Sequence, residues 1–189
     1  MRIIAGAHKG RTLKTTTGPG FRPAMGKVRE ALFSMLEARG INWPQVRVLD
    51  LFAGSGSLGF EALSRGAAQV CFVESAPYAA KVIAANADLL GVAPDRVSLR
   101  REEAAKVLSR KVEQPYDLVF IDPPYNLDVL KSTVSALIKN AWVLSGAVIN
   151  AEVEARRSFD PAALHPDLEL LADRAYGQTR VILWTMNRA

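Results

Sequence analysis

The sequence holds one cysteine, Cys71, and two histidines, His8 and His165. A single cysteine excludes any disulfide within the chain, and its place inside the apolar run Val70 to Val73 marks it as a small core residue. Two histidines cannot build a histidine-rich metal centre, so no metal is expected. No apolar run approaches the roughly 20 residues that span a bilayer. Met1-Arg2-Ile3-Ile4-Ala5-Gly6 has no signal-peptide core, so a cytoplasmic chain with no membrane partner is expected. Internal repeats and low-complexity segments are missing too. Most telling is the absence of acid: residues 1–29 contain no Asp or Glu, yet carry Arg2, Lys9, Arg11, Lys14, Arg22, Lys27 and Arg29. That segment is +7 in a chain of net charge +5, so the remaining 160 residues are −2. A basic arm on a near-neutral body is the signature of a phosphate-rich partner, here a nucleic acid. A solvated tail is the alternative.

What is present is one domain's worth of chain, 189 residues, with 49% hydrophobic and 23% charged side chains. It is organised around Val46 to Gly59, VRVLDLFAGSGSLG. Its apolar start reads as a parallel strand buried on both faces, and helical spacing resumes after Gly56. Strand, glycine turn and helix together let a ligand approach bare backbone at a helix N-terminus. Asp50 points toward the same turn. Gly54, Gly56 and Gly59 satisfy the dinucleotide pattern, and Glu74 follows Gly54 by 20 residues at the end of the next apolar run. A carboxylate there would accept from ribose hydroxyls. The pair points to a nucleoside-type cofactor, NAD or S-adenosylmethionine.

Around this unit, Arg2 to Ala7 and Arg11 to Thr15 read as a basic hairpin, and 16–23 as a loop. Lys27 to Leu36 is helical, with Val28, Ala31, Leu32 and Leu36 on one stripe. Further strands are expected over Val97 to Leu99, Tyr116 to Ile121 and Ala147 to Val153. Helices are expected over Pro77 to Leu90, Glu102 to Lys111 and Val129 to Lys139. This alternation requires a doubly wound parallel sheet. Leu168 to Ala175 and Val181 to Met186 are joined too tightly for a crossover and must pair antiparallel. The expected fold is an α/β, Rossmann-like seven-stranded sheet, with a basic hairpin and loop over 1–24 and the main domain over 25–189.

The fourth strand ends in Asp122-Pro123-Pro124-Tyr125, on the side of the sheet where the glycine turn opens. An exocyclic amino group on a nucleobase is a poor nucleophile, because its lone pair is delocalised into the ring. Two fixed acceptors, the Asp122 carboxylate and the Pro123 carbonyl, can bond its two N–H groups and turn the lone pair toward an electrophile. Tyr125 offers a flat face for a splayed-out base.

With Asp50-Leu-Phe-Ala-Gly-Ser-Gly, this tetrapeptide resembles the class I, S-adenosylmethionine-dependent amino-methyltransferases. The chain is similar in particular to the RsmD type, which methylates N2 of a guanine in 16S ribosomal RNA. Carrying that likeness are Arg2-Ile-Ile-Ala-Gly, Arg22-Pro23, Val28-Arg-Glu-Ala-Leu-Phe33, residues 58–67, Phe72-Val-Glu74, Asn86, Leu90-Gly91 and Arg174-x-Tyr-Gly-x-Thr179. The resemblance implies a catalytic set of Asp122, Pro123, Pro124 and Tyr125. It implies cofactor contacts from Asp50, Phe52, Ala53, Gly54, Ser55, Gly56, Glu74, Ser75, Glu103, Ala104 and Asp122. The Gly54 to Gly56 turn would hold the methionine part, Glu74 the ribose, and Glu103 the adenine amino group, with Glu102 as the alternative. Arg2, Lys9, Arg11, Lys14, Arg22 and Arg29 would contact RNA, and a monomer acting on a small-subunit assembly intermediate is expected. Where the family shows Thr-Thr-Asp, this chain has Ala24-Met25-Gly26, which removes side chains that could cap the helix. Other readings are a DNA or RNA adenine or cytosine amino-methyltransferase, an NAD-dependent oxidoreductase, and a non-catalytic RNA-binding or assembly module.

Overall fold

The computed structural model describes residues 1–16, 26–123 and 127–187. The chain runs α1 (Gly26–Glu37), β1 (Arg47–Leu51), α2 (Ser57–Arg65), β2 (Gln69–Val73), α3 (Pro77–Leu90), β3 (Val97–Arg100), α4 (Ala104–Leu108), β4 (Tyr116–Ile121), α5 (Leu127–Lys139), β5 (Val143–Glu154), β6 (Leu168–Tyr176) and β7 (Thr179–Met186). The strands form one seven-stranded sheet in the order β3-β2-β1-β4-β5-β7-β6. The first five are parallel, and β7 runs antiparallel between β5 and β6. Both expectations, the doubly wound sheet and the antiparallel closing pair, hold.

Strand alternation builds two cores. Leu49, Leu51, Val119, Ile121, Ile149 and Ala151 face α4 and α5, with Trp142 and Trp184 filling the layer. Val48, Phe72, Leu118, Phe120 and Leu183 face α1 and α2 on the other side, around Phe33 and Phe60. The parallel strands are apolar on both faces because helices cover both.

Three elements differ from the sequence expectation. The N-terminal hairpin makes a single antiparallel bridge, Arg2 to Thr12, because α2 takes the backbone groups that a ladder would use. The Ile4 and Ala5 amides donate to the Glu61 carboxylate at 2.8 and 3.0 Å. The Ala7 amide donates to the Ser64 carbonyl and the His8 amide to Ser64 Oγ. Gly6 permits this approach: a Cβ there would lie 1.8 Å from the Ser64 carbonyl oxygen. The helix expected over 102–111 is only the five-residue α4: the Leu108 and Arg110 carbonyls accept from Asn140 and from Trp142 in place of a further helical turn. The fifth strand begins earlier than expected, at Val143, with a register shift opposite Tyr116 and Leu118 that accommodates Gly146 at φ 79°.

Candidate functional site

Four carboxylates stand at the C-terminal ends of four adjacent strands: Glu74 after β2, Asp50 on β1, Asp122 after β4 and Glu152 on β5. Asp50 is 2% exposed and accepts from the Gly59 amide at 3.0 Å. That bond ties the strand to the first turn of α2. Gly59 is required there, since a Cβ would meet the Phe72 ring at 2.3 Å. Glu74 accepts from the Gly54 amide at 2.8 Å and the Ala76 amide at 2.7 Å. One oxygen is used for each, so each keeps a lone pair for a further donor.

The turn itself is tight. Phe52, Gly54 and Gly56 have φ of 58°, 56° and 79°, and the Gly56 amide donates to the Ala53 carbonyl at 2.7 Å. The Ser55 carbonyl accepts from Asn86 of α3 at 3.1 Å. Ser75 is exposed and Ala104 buried. Glu102 is committed to Arg110, which holds its carboxyl down at about 2. Glu103 is exposed and makes no cap bond to α4, which leaves it the better candidate for a ligand contact.

Asp122 stands at the end of β4, exposed along part of its surface, and the protein packed near its carboxyl pushes it up to about 7. Glu152 is pushed up to about 8, first by burial and then by Asp122. Burial also raises Asp50 well above the carboxylate range, against the Gly59 hydrogen bond and with Asp122 and Glu74 adding to the rise. Each of these carboxyls would gain from a positive charge placed beside it when it ionises. A positively charged ligand fits such a crevice. Among the described residues no group of His, Cys, Asp and Glu side chains is gathered to hold a metal ion.

Pro123 is buried beside Asp122, while Pro124, Tyr125 and Arg22 lie outside the described residues. Arg2, Lys9, Arg11 and Lys14 are all exposed on the hairpin. Arg29 is not available with them. It is 2% exposed, donates to the Arg2 carbonyl at 2.6 Å and lies 3.8 Å from Glu61. Its guanidinium braces the hairpin on α1 and α2 instead of meeting a phosphate. Sequence reasoning missed Glu152, which lies inside the strand expected over Ala147 to Val153 and alternates with Glu154, a pattern that reads as the solvated face of a strand.

The strand order, the glycine turn after β1 and the Asp-Pro after β4 define a class I methyltransferase. Comparison with known proteins narrows this. The chain belongs to the family described as Conserved hypothetical protein 95, whose profile matches residues 1–185. Ribosomal RNA small subunit methyltransferase D of Haemophilus influenzae is 36% identical over 160 residues, covering 82% of this chain and 79% of the relative. The protein of that name from Escherichia coli strain K12 is 36% identical over 154 residues, covering 82% and 75%. The solved structure of yhhF from Escherichia coli, provisionally described as a methyltransferase, superposes with a TM-score of 0.85 at 31% identity, covering 100% of this chain and 99% of that one.

Proposed function

We propose that the chain transfers the methyl group of S-adenosylmethionine to the N2 amino group of a guanine in 16S ribosomal RNA. The observation that carries this is the placement of Asp122 and Pro123 on the strand next to β1, whose glycine turn opens on the same edge of the sheet. The cofactor supplies a methyl group already activated by a sulfonium charge. The site's chemistry fits it: Gly54 to Gly56 offer close backbone, Glu74 keeps acceptors for ribose hydroxyls, and the acidic crevice suits the positive sulfur. Glu103 would take the adenine amino group.

Asp122 and the Pro123 carbonyl accept the two N–H groups of the guanine amine, and Tyr125 stacks its ring. Positioning supplies most of the acceleration. Arg2, Lys9, Arg11, Lys14 and Arg22 hold the RNA backbone. The substrate is a small-subunit assembly intermediate in the cytoplasm, bound by a monomer. The relatives' names support the ribosomal substrate over DNA or other RNA, and Asp122-Pro123 would have no use in an oxidoreductase or a purely binding module.

The test is radiolabelled methyl transfer to small-subunit particles lacking the modification, with protein-free RNA and DNA alongside. Transfer to guanine N2 in the particle is expected. Asp122→Ala should lower turnover roughly 100- to 1000-fold while cofactor affinity stays within a few-fold. Near wild-type turnover in that variant would remove Asp122 from the mechanism.

A further inference from the structure

Glu152 follows Ala151, which pairs with Ile121 at the last shared register of β4 and β5. This sets it laterally beside Asp122, which follows Ile121. Its side chain is 6% exposed, and its Oε1 has no hydrogen-bond partner. On the other side its register partner is the apolar Val181 of β7. The charged groups that act on it are Asp122 after β4, Arg29 of α1 and Asp50 of β1. Arg29 donates to the Arg2 carbonyl, and its Nε, 3.8 Å from Glu61, makes no hydrogen bond; it acts on Glu152 through its charge. A carboxyl this deep with an unpaired oxygen is costly when ionised, and its neutral form is the one the surroundings tolerate.

We infer that Glu152 is a positioning residue for methyl transfer: with Asp122 it forms a carboxylate pair carrying one proton, which leaves Asp122 the ionised member that faces the amino group. The inference rests on the amino-group transfer proposed above. The pair also completes the proton balance. As the new N–C bond forms and the C–S bond breaks with its electrons left on sulfur, the amine nitrogen becomes positive and must lose a proton. Asp122 accepts it, and the pair passes from one proton to two. The second proton returns to solvent when the product leaves. Two adjacent carboxyls that share protons in this way titrate as a unit.

Glu152→Gln imitates the neutral member. We expect the variant to lose the alkaline limb of kcat near pH 8 that ionisation of Glu152 beside Asp122 gives the wild type. Glu152→Asp should restore an alkaline limb near the wild-type position. Carbon-13 NMR of the wild-type Glu152 carboxyl gives a readout independent of turnover. Titration near pH 8 in the ligand-free protein is expected, and the Asp122 signal should become a single one-proton curve in Glu152→Gln. An unchanged alkaline limb in Glu152→Gln, or titration of Glu152 in the ordinary carboxylate range, overturns the inference. If Glu152→Gln does not fold, the wild-type titration decides alone. Absence of methyl transfer by the wild type would refute the proposed function instead, and the NMR result would still report on the pair.

Discussion

At the scale of single residues, the crevice carboxyls make stability depend on pH in an unusual direction. Asp50, Asp122 and Glu152 all have folded values above their unfolded ones. The folded protein therefore holds more protons than the unfolded chain at neutral pH, and stability falls as pH rises. Below the unfolded values both states are protonated and the penalty vanishes; it grows until the folded values, about 7 for Asp122 and about 8 for Glu152, are passed. Above pH 7 two other shifted groups do not disturb this slope. His8 is lowered by burial and by Arg11 and Arg96, so it is largely neutral in both states, and the Glu102 ion pairs are fully formed. The urea midpoint of the ligand-free protein should fall between pH 7 and 8.5. Saturating S-adenosylmethionine should raise it more at the upper pH, because a cation favours the ionised carboxylates. A flat or rising midpoint would show that the fold does not raise these carboxyls.

At the scale of elements, the hairpin, α2, α3 and the glycine turn act as one unit, and Asn86 is its joint. It is fully buried, accepts from the Lys14 amide at 2.8 Å, and donates to the Lys14 carbonyl at 3.0 Å and the Ser55 carbonyl at 3.1 Å. Asn86→Ala would leave those backbone groups without partners, at a cost of about 1 to 3 kcal/mol. Because Ser55 belongs to the turn, the same variant should weaken cofactor binding, read by calorimetry, although Asn86 itself touches no cofactor in the proposed scheme. Loss of stability with unchanged affinity would separate the turn from the hairpin. The short α4 shows the same dependence on neighbours: Asn140 donates to the Leu108 carbonyl and Trp142 to the Arg110 carbonyl, so residues after Leu108 serve α5 and β5 rather than extending the helix.

At the scale of the whole molecule, charge is separated into an acidic crevice at the strand ends and a basic hairpin on α2. The hairpin places Ile3 and Leu13 in the core that α1 and α2 share, so its removal would expose that core as well as delete charge. Substitution is the cleaner probe. Lys9 and Lys14 are exposed, and the hydrogen bonds that dock Lys14 use its backbone. Replacing both by Ala should flatten the slope of log RNA affinity against log salt by roughly one and a half to two units, with cofactor affinity unchanged. An unaltered slope would mean that these lysines meet no phosphate.

The sequence by itself determined the sheet, its antiparallel closing pair, the glycine turn and the positions of Asp50, Glu74 and Asp122, because each rests on short-range pattern: apolar runs, turn glycines and acids at strand ends. It could not rank Arg29 apart from the other arm cations, nor find Glu152. A helical arginine reads the same whether it meets water or Glu61, and an acid that alternates with another, as Glu152 does with Glu154, reads as solvated until the neighbouring strand is known. Only the tertiary structure decided these, by packing α1 against β7 of the sheet and seating the hairpin on Glu61 and Ser64. Burial and charge neighbours arise from contacts between residues far apart in the chain, and those contacts set which ionisable groups are buried and which face solvent.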